Sequence, residues 1–169
     1  MDVNEVRAWF AGRLPEDWFT GPPEISVDRE EILVVGNLAE PTVDGDAGPD
    51  AAGVARQARI DGFREDTRAR RMRIADEAQR KFGRKVSWGA ASGDARTLFT
   101  TLSVPAMTRL RMPERAVLDT LVEAGVARSR SHALAWCVRL VAERQDDWLK
   151  DLRDALSQVQ KVRGEGPRD

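Results

Sequence analysis

The sequence predicts an α+β fold in which a domain of helices and β-hairpins is followed by a helical module. The 169 residues suffice for one ordinary domain or two small ones. Hydrophobic residues alternate in some segments and recur at three- and four-residue steps in others, which indicates both strands and helices. Hydrophobic side chains make up 41% of the chain and charged ones 33%, a balance that excludes wholesale disorder.

The N-terminal domain, over residues 1–104, begins with a short helix and a hairpin. Apolar residues at helical spacing predict a first helix that ends at Leu14-Pro15. An alternating segment at 25–27 and a β-branched segment at 32–35 flank a four-residue turn, which is typical of a hairpin. This domain contains no recognisable ligand motif, so its role and any small-molecule or protein effector are left open.

A long helix and a second hairpin complete the domain. Residues 36–53 are rich in Gly, Pro, Asp and Ala, which predicts a loop or linker. No proline interrupts residues 50–82, where apolar spacing predicts one long amphipathic helix that ends at Gly83. Its apolar positions are Ile60, Phe63, Thr67, Ile74, Ala78 and Phe82. The β-prone segments 86–88 and 97–102 predict the second hairpin.

Charge is distributed unevenly along the chain, although the formal total is only −1. Residues 1–55 carry 3 basic and 12 acidic side chains, whereas residues 56–85 carry 11 basic and 5 acidic ones. Most of these basic residues are arginines on the predicted helix, from about 56 to 82. Either the acidic start folds against the Arg-rich helix and neutralises it, or the later segments bind a polyanion. The sequence leaves both interpretations open.

The composition argues against several classes of function. A single Cys excludes a disulfide framework, and one Cys with one His excludes the usual structural zinc sites. No Gly-rich phosphate loop, paired-carboxylate site or nucleophile–base pair stands out, so we predict neither an enzyme nor a bound metal or cofactor. No apolar run approaches the roughly 20 residues that span a bilayer, and the acidic start is unlike a signal peptide. We therefore expect a soluble, cytoplasmic protein without a membrane partner.

Residues 105–145 predict a short strand followed by two helices. Met107, Arg109 and Arg111 share one face of the strand, and the intervening residues share the other. Pro113 lacks an N–H group and has a fixed φ, so it stops the strand and suits the first turn of a helix. The strand therefore exposes two arginines on one face and an apolar edge on the other.

Apolar stripes and end signals define the two helices. Gly125 ends the first helix, and Ser129 caps the second. Beyond them, residues 146–163 continue at helical spacing as an amphipathic C-terminal helix, and residues 164–169 form a frayed tail. We expect the apolar stripe of the C-terminal helix to pack on the dimer or on the N-terminal region.

A solitary short strand with two helices cannot bury this apolar surface or pair its own backbone. The economical solution is a two-fold homodimer in which each strand pairs antiparallel with its copy. Dimer or tetramer is left open. The predicted dimer core comprises Leu110, Met112, Val117, Leu118, Leu121, Leu134, Val138 and Val141. A two-stranded ribbon of this size fits the major groove of B-DNA, where arginine bonds two acceptors on guanine.

This module resembles the ribbon-helix-helix family of DNA-binding proteins, the Arc and Met repressor superfamily. The resemblance is carried by Arg109-Leu110-Arg111-Met112-Pro113-Glu114, Gly125-Val126 and Ser129-Arg130-Ser131-His132-Ala133-Leu134. It implies base contacts from Met107, Arg109 and Arg111. It also implies phosphate contacts from the backbone at Arg128, Ser129 and Arg130, which the free N–H groups of a helix N-terminus make reasonable. The sequence departs from the family at His132, where a Glu is common.

The resemblance implies a sequence-specific transcriptional regulator that binds double-stranded DNA as a homodimer at the bacterial nucleoid. An alternative comes from the acidic N-terminal domain. In that alternative the ribbon-helix-helix part only dimerises, and the N-terminal domain binds a basic partner protein, as in an antitoxin or adaptor.

Overall fold

The computed structural model describes residues 2–43 and 50–165, and the chain divides into two compact units, Met1–Pro105 and Ala106–Asp169. The described residues form six helices and four strands, so the α+β prediction is confirmed. The first unit contains α1 (Val3–Arg13), β1 (Glu24–Val27), β2 (Glu31–Asn37), α2 (Ala51–Asp66), α3 (Arg68–Phe82), β3 (Lys85–Ser92) and β4 (Ala95–Leu98). The second unit contains α4 (Met112–Glu123), α5 (Arg130–Arg144) and α6 (Asp146–Glu165).

Both predicted hairpins are present and lie side by side in one sheet of order β1-β2-β3-β4. The outer pairs are antiparallel and the central pair, β2 with β3, is parallel. The first turn is closed by Asp28, whose Oδ1 accepts the N–H groups of Glu30 and Glu31 at 2.7 and 2.8 Å. These two bonds hold the pKa of Asp28 below its ordinary value. They also make Glu31, predicted as part of the turn, the first residue of β2.

The last strand ends four residues earlier than the predicted segment 97–102, because a side chain takes over its hydrogen bond. Thr100 Oγ1 accepts the backbone N–H of Trp88 at 3.0 Å, in place of a backbone carbonyl. Phe99 still donates its N–H to the carbonyl of Trp88 at 2.7 Å. The chain therefore stays attached to β3 through residue 100 without forming a regular ladder.

The single long helix predicted over 50–82 is wrong, because the helix is interrupted at Thr67 between α2 and α3. Arg71 explains the interruption: its Nη2 donates to the carbonyl of Arg64 at 2.6 Å, and its Nε donates to Thr67 Oγ1 at 3.0 Å. A side chain thus satisfies a carbonyl that the next helical turn would otherwise use. The predicted end at Gly83 is confirmed, since this residue has φ 69°, a conformation that glycine adopts without steric cost.

The core of the first unit is rich in aromatic rings in contact with the sheet. The ring centre of Trp18 lies 6.2 Å from that of Trp88 and 5.5 Å from that of Phe63, and both pairs are edge-to-face. Phe10 of α1 makes a similar contact with Trp88 at 6.2 Å. The buried residues of this cluster are Val6, Phe10, Trp18, Ile25, Ile32, Val34, Ile74, Ala78 and Trp88.

Ion pairs connect the acidic start of the chain to the Arg-rich segment. Glu5 binds Lys81 at 3.1 Å, and Glu40 binds Arg56 at 3.1 Å. At these two pairs the first interpretation of the charge asymmetry, internal neutralisation, holds. Among the described residues, no helix is both long and apolar enough to cross a membrane.

The predicted loop at 36–53 is too long, because residues 36–37 belong to β2 and residues 51–53 to α2. The predicted tail at 164–169 starts too early, because α6 continues to Glu165. Residues 44–49 and 166–169, which also fall within these two predictions, lie outside the residues that the structure describes.

We expect Gly36→Ala to destabilise the first unit by about 1–3 kcal/mol, because a Cβ at this position of β2 would overlap the ring of Phe19. Urea unfolding followed by tryptophan fluorescence measures the change. The matched control is Gly62→Ala on α2, where a Cβ meets open space and helix propensity predicts a gain of up to about 1 kcal/mol. Equal stability of Gly36→Ala and the wild type would contradict the packing described for β2.

Candidate nucleic-acid interface

The helix that begins the second unit starts one residue earlier than Pro113. Arg111 is its N-cap, with extended backbone at φ −80° and ψ 173°, and Met112 is its first residue. The predicted strand at 107–112 is absent from the single chain, because residues 101–111 belong to no helix or strand. Pro113 does lie in the first helical turn, as predicted. Met112, predicted to lie on the strand, therefore belongs to α4.

The segment before α4 exposes the three predicted base-contacting side chains. Met107 is 98% exposed, and Arg109 and Arg111 are exposed as well. Neither arginine takes part in an ion pair with another described residue. Arg115 anchors the segment from the helix side, since its Nη1 donates to the carbonyl of Leu110 at 2.7 Å. Two guanidinium groups thus face solvent next to a fixed helix start.

The turn between α4 and α5 confirms the two predicted end signals. Gly125 has φ 74° and donates its N–H to the carbonyl of Val122 at 3.0 Å. Ser129 is the N-cap of α5, where its Oγ accepts the N–H of His132 at 3.2 Å. His132 stands where the ribbon-helix-helix family often has Glu. Its Nδ1 accepts the N–H of Arg128 at 3.2 Å, so this side chain also bonds back to the backbone before the helix. The backbone N–H of Arg128, one of the three predicted to contact phosphate, is therefore already bonded to His132, which leaves Ser129 and Arg130 for that prediction.

An ion pair between helices, which sequence reasoning missed, fixes the start of α5 against α4. Arg130 donates from Nε and Nη2 to the two carboxylate oxygens of Asp119, both at 2.6 Å. The bidentate bond lowers the pKa of Asp119 and raises that of Arg130. Because the Arg130 side chain is engaged with Asp119, a phosphate contact at Arg130 falls to its backbone N–H. The spacing of 11 residues across a turn gives no signal that would have identified this pair.

The second unit has a small core of its own. Its buried residues are Leu118, Ala127 and Ala133, of which only Leu118 belongs to the predicted dimer core. Leu110, Leu121 and Leu134, also predicted there, pack around this cluster and are partly buried. The other four predicted core residues are exposed in the single chain: Met112 by 73%, Val117 by 56%, Val138 by 63% and Val141 by 49%.

The predicted C-terminal helix is present as α6, and its apolar stripe is exposed too. The exposed large residues on α6 are Trp148, Leu152, Leu156, Val159 and Val162. The unit therefore presents two sets of uncovered apolar side chains, one on α4 and α5 and one on α6. Exposed apolar surface of this extent is typical of a protein–protein contact.

Comparison with known proteins matches each unit to a described family. Residues 4–98 match the family described as "Rv1265-like protein, N-terminal domain". Residues 111–163 match the family described as "Mb1296 C-terminal domain". The fold and the site define a class of protein: it is an α+β protein of two units, with an exposed basic segment before a pair of helices. The chain belongs to the Rv1265-like family.

Two relatives illustrate this membership. The uncharacterized protein Rv1265 of Mycobacterium tuberculosis (strain ATCC 25618 / H37Rv) is 56% identical over 167 residues, which cover 98% of this chain and 72% of the relative. The uncharacterized protein Mb1296 of Mycobacterium bovis has the same identity over the same shares. No solved structure matches the chain.

We expect Asp119→Asn and Arg130→Gln each to lower the unfolding midpoint of the second unit at neutral pH, because each removes the bidentate pair. The folded pKa of Asp119 is lowered, so the contribution of the pair is complete above the unfolded carboxyl pKa of about 4 and is lost as pH falls through the folded value. Circular dichroism melts at pH 7 and at acid pH measure both effects.

The wild type and Asp119→Asn should converge at acid pH, and the double variant should be no less stable than either single variant. A difference that persisted unchanged below the folded pKa of Asp119 would assign the effect to packing instead of charge.

Proposed function

We propose that this protein is a sequence-specific DNA-binding transcriptional regulator that acts as a homodimer. Residues 107–111 of two copies would pair as an antiparallel ribbon and enter the major groove. One observation carries the proposal: in the single chain this segment has no strand partner, although it precedes two packed helices and ends in two exposed arginines. A second copy supplies the missing partner.

The apolar surface of the second unit supports dimer formation. Met112, Val117, Val138 and Val141 are exposed in the single chain, and burial of each large apolar side chain contributes about 1.5–3 kcal/mol. A two-fold axis presents the same patch from both copies, so one set of residues covers itself. The four helices of two copies can then close around the paired segments and hold them in register.

The charges next to the ribbon suit DNA. Arginine bonds O6 and N7 of guanine together, and each such pair discriminates by about 1–3 kcal/mol. The capped N-terminus of α5, at Ser129, provides backbone N–H groups and the positive end of a helix dipole, which favour a phosphate. Base-reading arginines and a phosphate anchor are the two parts that a specific protein–DNA contact requires. We accordingly expect the protein at the bacterial nucleoid.

The alternative, an antitoxin or adaptor whose acidic N-terminal unit binds a basic protein, receives less support. Glu5 and Glu40 are engaged by Lys81 and Arg56 within the same unit, which leaves fewer acidic groups for a partner. Gel shifts with residues 105–169 and with the whole chain separate the two functions. If neither binds DNA at low salt, where phosphate contacts are strongest, the alternative is correct.

We expect the double substitution Arg109→Ala/Arg111→Ala to abolish preference among DNA sequences while the dimer persists. A guanine contact worth about 1.4 kcal/mol corresponds to tenfold discrimination between sequences, so the loss of two contacts should reduce discrimination by more than tenfold. Competition gel shifts compare a duplex selected by the wild type from a random pool with unselected DNA. Arg139→Ala, on the exposed part of α5, is the matched control and should leave the preference unchanged. Equal loss on both duplexes would assign the two arginines to phosphate contacts.

We expect Val138→Glu to convert the dimer to a monomer at micromolar concentration without loss of helicity. Val138 is 63% exposed in the single chain, so the charge disturbs little there but would be desolvated in the dimer. Sedimentation velocity measures the mass, and circular dichroism measures the fold. Val126→Glu, at a 44% exposed valine outside the predicted interface, is the control and should remain dimeric. A dimeric Val138→Glu variant would contradict this interface.

A further inference from the structure

A cavity of about 420 Å³ opens between α2, α3 and the sheet of the first unit. Three arginines line one side of it, Arg64, Arg68 and Arg71, and Trp88 and Phe99 line another. The volume lies in the range of small-molecule sites, about 300–1,000 Å³. It is too small and too concave to follow a nucleic-acid backbone, so the DNA function proposed above makes no use of it.

The arginines outnumber the carboxylates in the described part of the cavity lining, which contains three arginines and one acidic residue, Glu65. Arg71 is only 6% exposed, and its guanidinium binds a carbonyl and a hydroxyl, not a carboxylate. None of the three arginines forms an ion pair with another described residue, although Glu65 also lines the cavity. Burial first, and then the charges of Arg64 and Arg68, lower the pKa of Arg71, and the charge of Glu65 opposes this shift only in part. An anion in the cavity would relieve this repulsion.

The aromatic side of the cavity is held in place by the sheet. The guanidinium of Arg71 lies 4.8 Å from the centre of the Phe99 ring, which orients the cation over the ring face. Trp88 is 3% exposed, and its indole Nε1 has no hydrogen-bond partner among the described residues. The backbone of Trp88 is bonded to both Phe99 and Thr100. The cavity thus combines a fixed aromatic side with a cluster of cations, and the indole N–H of Trp88 is a buried reporter within one of the lining residues.

We propose that this cavity binds a small organic anion, in which a carboxylate or phosphate is attached to an aromatic or apolar body. The anion would bond to the guanidinium groups of Arg64 and Arg68 beside the buried charge of Arg71, since planar guanidinium matches both kinds of oxyanion. The apolar body would lie against Phe99 and Trp88. Inorganic phosphate alone would satisfy the cations but leave the aromatic wall uncovered, so it should bind more weakly.

The test is an NMR titration of the whole chain, with the indole N–H signal of Trp88 assigned through Trp88→Phe. The probes are phenyl phosphate, 3-phenylpropionate, inorganic phosphate and neutral benzyl alcohol. We expect a saturable shift of the Trp88 signal with one or both aromatic anions. Binding should be at least tenfold weaker for inorganic phosphate and for benzyl alcohol. The stronger of the two aromatic anions identifies the preferred oxyanion.

Variants separate this site from unspecific attraction to a basic surface. The double variant Arg64→Gln/Arg68→Gln changes two exposed residues, so the fold should persist. Its affinity for the aromatic anion should be at least tenfold lower than that of the wild type. Arg73→Gln, an exposed arginine of α3 outside the cavity, is the control and should bind like the wild type. Absence of a saturable Trp88 shift at millimolar probe would overturn the proposal. So would equal binding of benzyl alcohol, or equal effects of the two variants.

Discussion

The second unit cannot cover its own apolar surface, and the functional proposal depends on this constraint. Among its described residues, only Leu118, Ala127 and Ala133 are buried, and two of these three are alanines, which have the smallest apolar side chain. Large side chains on α4, α5 and α6 remain in contact with water. The proposed association would stabilise such a unit, because apolar surface that folding leaves exposed would be buried in the contact between two copies. In the proposed homodimer, the segment before α4 would lie next to its equivalent in the second copy.

The first unit is different, since its sheet and aromatic cluster bury a substantial core within one chain. The Arg-rich helices meet part of the acidic start there, at Lys81 and Arg56. Arg71 has two structural roles in this unit. Its hydrogen bonds interrupt the helix at Thr67, and its side chain is the buried cation in the cavity lining. Phe99 and Thr100, at the other side of the cavity, are the last residues bonded to the sheet before the chain leaves the unit.

Local signals in the sequence predicted the elements well, whereas contacts between distant residues were beyond them. Helix ends at Gly83, Gly125 and Ser129 were predicted correctly, because a left-handed glycine or a capping hydroxyl acts within one turn. The interruption at Thr67 was missed because it depends on Arg71 reaching back two turns. The parallel pairing of the two hairpins was not predicted either, since register between distant strands has no local signal.

In the candidate interface, too, local features were predicted from the sequence and contacts between distant residues were not. The exposure of Arg109 and Arg111 followed from alternation along a short segment, although the single chain does not form the strand. The pair of Asp119 with Arg130 and the bond from Arg128 to His132 depend on how α5 turns back on α4. The proposed strand would form only between two chains, so the single chain does not show it. It is expected because a short strand cannot pair its own backbone, and the family resemblance agrees with that reasoning.

The most direct test is the distance between the same segment in two copies of the protein. A spin label at Met107→Cys, in a background that replaces Cys137 by Ser, stands on a 98% exposed position that disturbs no packing. Antiparallel pairing of residues 107–111 places the two labelled backbones within about 15 Å, given a rise of about 3.3 Å per residue. We predict strong dipolar broadening of the spectrum that disappears on dilution with unlabelled protein. A dimer without such broadening would show that the two segments do not pair.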